Sequence, residues 1–163
     1  MNKTSYKIII IALAIVTLTG VVLTGVIYND RLNYEENVVI ESDGVQEKPL
    51  CFSPPKLFPG EVSVCKINLV SRLSGDFHIL LDYVGLEEGL LNEFVRVTVC
   101  CDNWSKEYNL SDLVAGERVE FDANCIAGQT KAVTIEYSIP SYVGNEAQGK
   151  STSFEVLLSA SLF

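Results

Sequence analysis

Three stretches of the chain alternate apolar and polar side chains with a period of two, and that pattern limits the fold more than any other feature. Phe77, Ile79, Leu81 and Tyr83 alternate with His78, Leu80 and Asp82. Val133, Ile135, Tyr137 and Ile139 alternate with Ala132, Thr134, Glu136 and Ser138. Phe154, Val156, Leu158, Ala160 and Leu162 alternate with Ser153, Glu155, Leu157, Ser159 and Ser161. Successive side chains of a strand point to opposite faces, so each stretch predicts a strand with one face on a core and the other toward water. Turn signals divide the chain at a spacing of about ten residues. They are Ser53-Pro54-Pro55, Pro59-Gly60, Ser74-Gly75-Asp76, Ala115-Gly116, Ala127-Gly128 and the run 140–149. Short strands at this spacing, with little helical periodicity, predict an all-β fold of two packed antiparallel sheets, a β-sandwich. Residues 86–92, with Glu87, Glu88, Leu90 and Leu91, allow one or two helical turns.

Residues 8–27 form an uncharged run of 20, preceded by Lys3 and Lys7 and followed by Asp30 and Arg31. At about 1.5 Å per residue, a helix of that length spans roughly the 30 Å of a bilayer's hydrocarbon core. Lysines before the run and few basic residues after it orient the N-terminus toward the cytoplasm and the remainder outward. The expected organisation is a signal peptide or signal anchor over 1–26, an extended segment over 27–48 and the sandwich over 49–163. The expected location is extracellular or at the cell surface, with signal peptidase as a partner during maturation. The net charge of −9 has the wrong sign for a phosphate-backbone binder, so no nucleic-acid partner is expected. Glu35, Glu36, Glu41, Asp43, Glu47, Glu87 and Glu88 fit a solvated acidic surface.

Outside a cell, cysteines tend to pair. Cys51, Cys65, Cys100, Cys101 and Cys125 are therefore disulfide candidates, with connectivity left open. Parity places Cys101 with Val95, Val97 and Val99, and Cys65 with Ile67 and Leu69, on core-facing rows, while Cys100 faces the other way. A metal site is not expected, because there is no C-x-x-C pair and His78 is the single histidine. His78 and Asp82, four positions apart on a strand, lie roughly 13 Å apart at about 3.3 Å per residue. No G-x-S-x-G or H-E-x-x-H motif occurs, so neither catalytic residues nor a cofactor are expected. Asn103-Trp104-Ser105 and Asn109-Leu110-Ser111 are N-x-S sequons, which make Asn103 and Asn109 glycosylation candidates. Trp104 fits a packing residue at a strand end.

In the 28–48 region, Leu32, Tyr34, Val38 and Ile40 share one parity, interrupted by Glu36, which describes an extended segment with one apolar edge. Several landmarks follow in order. A Phe58-Pro59-Gly60-Glu61 turn precedes Ile67-Asn68-Leu69, and Tyr108-Asn109-Leu110-Ser111-Asp112-Leu113 comes next. Ile139-Pro140 then leads to the turn Gly144-Asn145-Glu146-Ala147-Gln148-Gly149, and the final strand runs from Ser153-Phe154 to Ser159-Ala160. Upstream stands Ile27-Tyr28-Asn29-Asp30. Over residues 26–163 this layout resembles the TasA/camelysin group of exported proteins, which includes biofilm-matrix fibre subunits and archaeal bundling pilins. The five cysteines, and a leader with Thr24-Gly25-Val26 where the group usually has alanines before the cleavage point, depart from the group's bacterial pattern.

The resemblance implies a jelly-roll or immunoglobulin-like sandwich that polymerises by donor-strand exchange. Tyr28, Leu32, Tyr34, Val38 and Ile40 of one copy would then fill a groove in the next. The expected function is that of a structural subunit of an extracellular filament or pilus, with itself as principal partner and cell-surface or matrix components as further ones. Elementary physics is consistent with this: an open sheet edge is satisfied by a strand from a neighbour, and a head-to-tail contact that does not close propagates as a filament. The alternative is a monomeric, secreted or membrane-tethered binding module whose N-terminal segment is the first strand of its own sandwich. A camelysin-like surface metalloprotease is the third reading, and the ligand set it requires is missing from the sequence.

Overall fold

The structure is a computed structural model that describes residues 33–41, 44–50, 57–86 and 90–163. The expected signal segment, Tyr28, Leu32, Asp43, Cys51, Glu87 and Glu88 lie outside the described residues. The strands in chain order are β1 (Asn33–Ile40), β2 (Val45–Pro49), β3 (Val62–Ser71), β4 (Gly75–Gly85), β5 (Arg96–Cys101), β6 (Trp104–Asn109), β7 (Val119–Cys125), β8 (Thr130–Ser138) and β9 (Phe154–Leu162). A short helix, α1 (Leu110–Val114), joins β6 to β7. A single-turn 3-10 segment at Asn92–Phe94 follows the stretch 86–92 for which the sequence allows helical turns, and a kinked 3-10 segment at Ser141–Ala147 occupies the long break at 140–149.

The strands form a β-sandwich of a five-stranded sheet, β1-β3-β8-β5-β6, and a four-stranded sheet, β2-β9-β4-β7. The alternating rows explain it. Ile79, Leu81, Val133, Ile135 and Leu158 are fully buried, and their sequence neighbours face outward on the same strands. Rows from the two sheets interdigitate to make one core, in which each large side chain contributes about 1.5–3 kcal/mol by leaving water. Cys65 and Cys101 fall on the inward rows expected of them, at 3% and 4% exposure. Leu162 shares the inward parity of β9 yet is 47% exposed, because it lies at the rim where the sheet ends.

Two findings depart from the sequence expectations. The sheets are antiparallel except at one edge, where β1 pairs with β3 in parallel. The chain path is the reason: after β1 it crosses to the other sheet, forms β2 beside β9, and only then returns to β3 in the original direction. A hairpin would have reversed it. The second departure is α1, which the sequence pattern did not announce. Leu110 and Leu113, three positions apart, are both fully buried, so five residues suffice to cap one end of the core.

The crossing from β1 to β2 uses a tight turn in which the Gly44 amide donates to the Glu41 carbonyl at 3.1 Å. Gly44 has φ +84°, and a Cβ there would stand 2.2 Å from the Ala160 carbonyl oxygen, so no other residue fits without moving β2 off β9. In urea unfolding, Leu81→Ala is expected to cost about 2–5 kcal/mol, while Val84→Ala, on an exposed position of the same strand, costs no more than about 0.5 kcal/mol. Equal losses at both positions would contradict the assignment of the two faces.

Candidate functional site

The described residues of the expected donor segment lie at the sheet edge formed by β1. Its inward parity carries Tyr34, Glu36, Val38 and Ile40, and the parallel register sets them opposite Cys65, Ile67, Leu69 and Ser71. Val38 and Ile40 are fully buried, whereas Tyr34 is 38% exposed at the open end of the row. The Arg72 amide donates to the Ile40 carbonyl at 3.0 Å, and Arg72 pairs with Glu41 at 3.2 Å. Thus the segment expected to act as donor completes the sheet of its own chain over its described residues.

Polar contacts bracket this strand on both faces. On the outer face, the Asn68 amide nitrogen donates to Glu35 Oε1 at 2.5 Å and to Asn37 Oδ1 at 3.1 Å. On the inner side, Lys48 Nζ of β2 stands 3.5 Å from Glu36 Oε1, a side chain only 14% exposed, and also reaches the Asn37 carbonyl. Glu36, expected both as a break in the apolar row and as part of a solvated acidic surface, is instead largely shielded from solvent, and periodicity gave no signal for its partner Lys48. The available signal was Glu36 itself, a charge on an otherwise apolar row.

Behind β1 the interior is kept neutral. Burial, aided by the nearby Glu36 carboxylate, pushes the Cys65 thiol up to about 12. Tyr83 and Tyr137 share a hydrogen bond of 3.3 Å between their hydroxyls, and burial raises both phenols above their ordinary range. Phe154 packs against both rings. Tyr137 and Phe154 also line an apolar groove of about 660 Å³ at one pole, together with Leu57, Phe58, Val95 and Leu110.

Of the disulfide candidates, Cys65, Cys100, Cys101 and Cys125 stand as free thiols in the structure, and Cys51 lies outside the described residues. Cys65, Cys101 and Cys125 are each buried on inward rows, and Cys100 faces out, with its Sγ 3.1 Å from Ser105 Oγ. Burial pushes Cys101 up to about 11 and raises Cys125, and the Lys131 ammonium nearby opposes both shifts. Lys131 is itself held by Asp102 at 2.5 Å.

His78 lies on the outer face of β4, as its parity implied, and its partner is Asp122 on β7. His78 Nδ1 and Asp122 Oδ1 are 3.0 Å apart, both groups open to solvent, and Phe163 meets the imidazole ring edge-on. Among the described residues, no cluster of three or more His, Cys, Asp or Glu side chains could hold a metal ion, and no helix is long and apolar enough to cross a membrane. Trp104 stacks on Phe121 of the opposite sheet at 4.8 Å, the packing role its position suggested. Asn103 is exposed in the β5–β6 turn, whereas the Asn109 amide donates to Asp112 Oδ2 at 2.6 Å.

No protein-family model matches the chain, and no curated protein sequence matches it.

The raised thiols and phenols carry a signed consequence. A group whose folded pKa exceeds its unfolded value stabilises the fold below the unfolded pKa and loses that contribution as pH climbs toward the folded one. For Cys65 the window opens near 9 and closes near 12. Thermal unfolding followed from pH 8 to 10 should show stability falling, with Cys65 accounting for about 1 kcal/mol at pH 10. Cys65→Ala is expected to flatten that slope, and an unchanged slope would contradict the burial assigned to the thiol.

Proposed function

We propose that this chain is the structural subunit of an extracellular filament or pilus, assembled when the β1 segment of one copy enters the seat beside β3 of the next. The sandwich is read as jelly-roll-like and as following an N-terminal hydrophobic signal or membrane helix. Its partners are then other copies of itself, together with cell-surface or matrix components. Tyr28 and Leu32 would extend the apolar row already formed by Tyr34, Val38 and Ile40. Catalysis is not part of the proposal.

One observation carries the reading. β1 is an edge strand at the N-terminal end of the sandwich, attached along one side only, yet it supplies two fully buried core residues, Val38 and Ile40. Removing it would open a row of backbone N–H and C=O groups on β3 and empty two apolar sites, each worth about 1.5–3 kcal/mol. The same segment from a second copy offers the same groups. Intrachain and interchain seating therefore have nearly the same contact energy, and the balance between them rests on concentration.

A second reading is favoured by the observation that β1 already completes its own chain's sheet, with a 660 Å³ apolar groove open at the pole. It is the monomeric, membrane-tethered or secreted binding module.

Asn37 and Asn68 are direct register partners on the outer face, which lets the two readings be separated. Asn37→Cys and Asn68→Cys chains, prepared separately and mixed, are expected to form an interchain 37–68 disulfide detectable by peptide mass spectrometry. Negative-stain microscopy should show fibres that Ile40→Asp abolishes. A 37–68 crosslink that forms only within the doubly substituted chain, with no fibres at any concentration, would reject the filament and leave the monomeric module.

A further inference from the structure

A strand that fills a seat through Val38 and Ile40 alone would be poorly discriminated, since many apolar segments alternate in this way. The structure adds a charge. Glu36 is the one ionised side chain on the inward row of β1, it is 14% exposed, and Lys48 meets it from β2 in the facing sheet. A charge placed that deep is tolerated with its partner and costly without it. We infer that the Glu36–Lys48 pair is a register and identity key, which restricts the seat beside β3 to the 33–40 segment of this same chain, from its own or a second copy, in a single alignment.

The alternatives available to a strand in this seat show how the key works. A one-residue slip turns Val38 and Ile40 outward and is excluded by face alternation alone. A two-residue slip keeps the faces and would otherwise be permitted. In one direction it moves Glu36 from its place opposite Ile67 to the place opposite Leu69, now held by the fully buried Val38, where a carboxylate would sit in a dry core. In the other direction it carries Glu36 opposite Cys65, away from Lys48, and leaves the Lys48 ammonium over an apolar side chain. Asn68 reinforces the choice on the outer face, because from its place opposite Asn37 its amide reaches both Asn37 and Glu35. A foreign strand of the same apolar pattern but with a neutral or basic residue at the central position would leave Lys48 without a carboxylate, with only a backbone carbonyl in reach. Lys48 is fixed independently of the incoming strand, since β2 is anchored to β9 in register with Leu158 and the Leu50 amide donates to the Val156 carbonyl.

The inference rests on the donor-strand reading only where it speaks of a second copy. The key itself applies to the seat whichever copy fills it.

The test uses the full chain in detergent and the rate at which Cys65, buried behind β1, is alkylated, followed by peptide mass spectrometry. Glu36→Lys and Lys48→Glu are each expected to raise that rate about tenfold, and the double charge swap to return it to within about twofold of the unsubstituted chain. Glu36→Gln, which preserves size and fold, should raise it by a smaller factor. Unchanged rates in the single variants, or a double swap no better than either single, would overturn the key. Mixing Glu36→Lys chains with Lys48→Glu chains then separates the two claims. Each can seat the other's strand with opposite charges facing, so recovery of Cys65 protection in the mixture is expected if strands pass between copies. Recovery in the double swap without recovery in the mixture would uphold the key within one chain and reject donation.

Discussion

The closure of the sandwich core by β1 is the interaction on which the remaining features depend. Eight of the nine described strands are joined by antiparallel pairing, but the edge of the five-stranded sheet is finished by a strand that arrives from the N-terminal side and runs parallel to its neighbour. Val38 and Ile40 reach the core from there with no residual exposure. The hydrophobic gain is non-directional, so it holds the strand down without deciding its alignment. Direction and alignment come from the ladder with β3 and from the polar groups on either side of the strand.

That division of labour accounts for the chemistry of the region. The interior behind β1 contains thiol and phenol groups, and burial keeps Cys65, Tyr83 and Tyr137 protonated and therefore compatible with an apolar core. Among the described residues two charges border the core, each with a partner: Lys131, near Cys101 and Cys125, is held by Asp102, and Glu36 has Lys48 beside it. An inward-pointing charge on an edge strand is also a known way to discourage indiscriminate pairing at a sheet edge. In the proposed filament the same residue would serve both ends: it would repel unrelated strands and admit the chain's own.

β2 makes the second edge of the sandwich on the same side and is irregular where β1 is regular. Its register against β9 shifts between Val45 and Lys48, Glu47 takes φ 43°, and the Glu47 amide turns to Ser159 Oγ. A bulged, five-residue edge strand offers little template for another chain. Of these two edges, the seat of β1 is the one where strand addition is geometrically simpler, and β2 carries Lys48 beside it.

What the amino-acid sequence determined by itself is the fold class, several of the strands and the face their side chains take. The inward rows of β4, β8 and β9, the core parity of Cys65 and Cys101, and the outward position of His78 all follow from a two-residue period that is a local property of extended backbone. The candidate site was legible to the same depth: Val38 and Ile40 stood out as an apolar edge, and Glu36 as its break. The partners were decided only by the tertiary structure. His78 meets Asp122, which is 44 positions away, and Asn68 meets Glu35 across 33. Trp104 stacks on Phe121, and Lys48 faces Glu36, from opposite sheets. The parallel pairing of β1 and the unpaired state of the four described cysteines belong to the same class. Periodicity assigns a residue to a face, whereas its neighbour across the ladder or across the core depends on which strands pair, in which direction and in what register, and those are properties of the folded chain path.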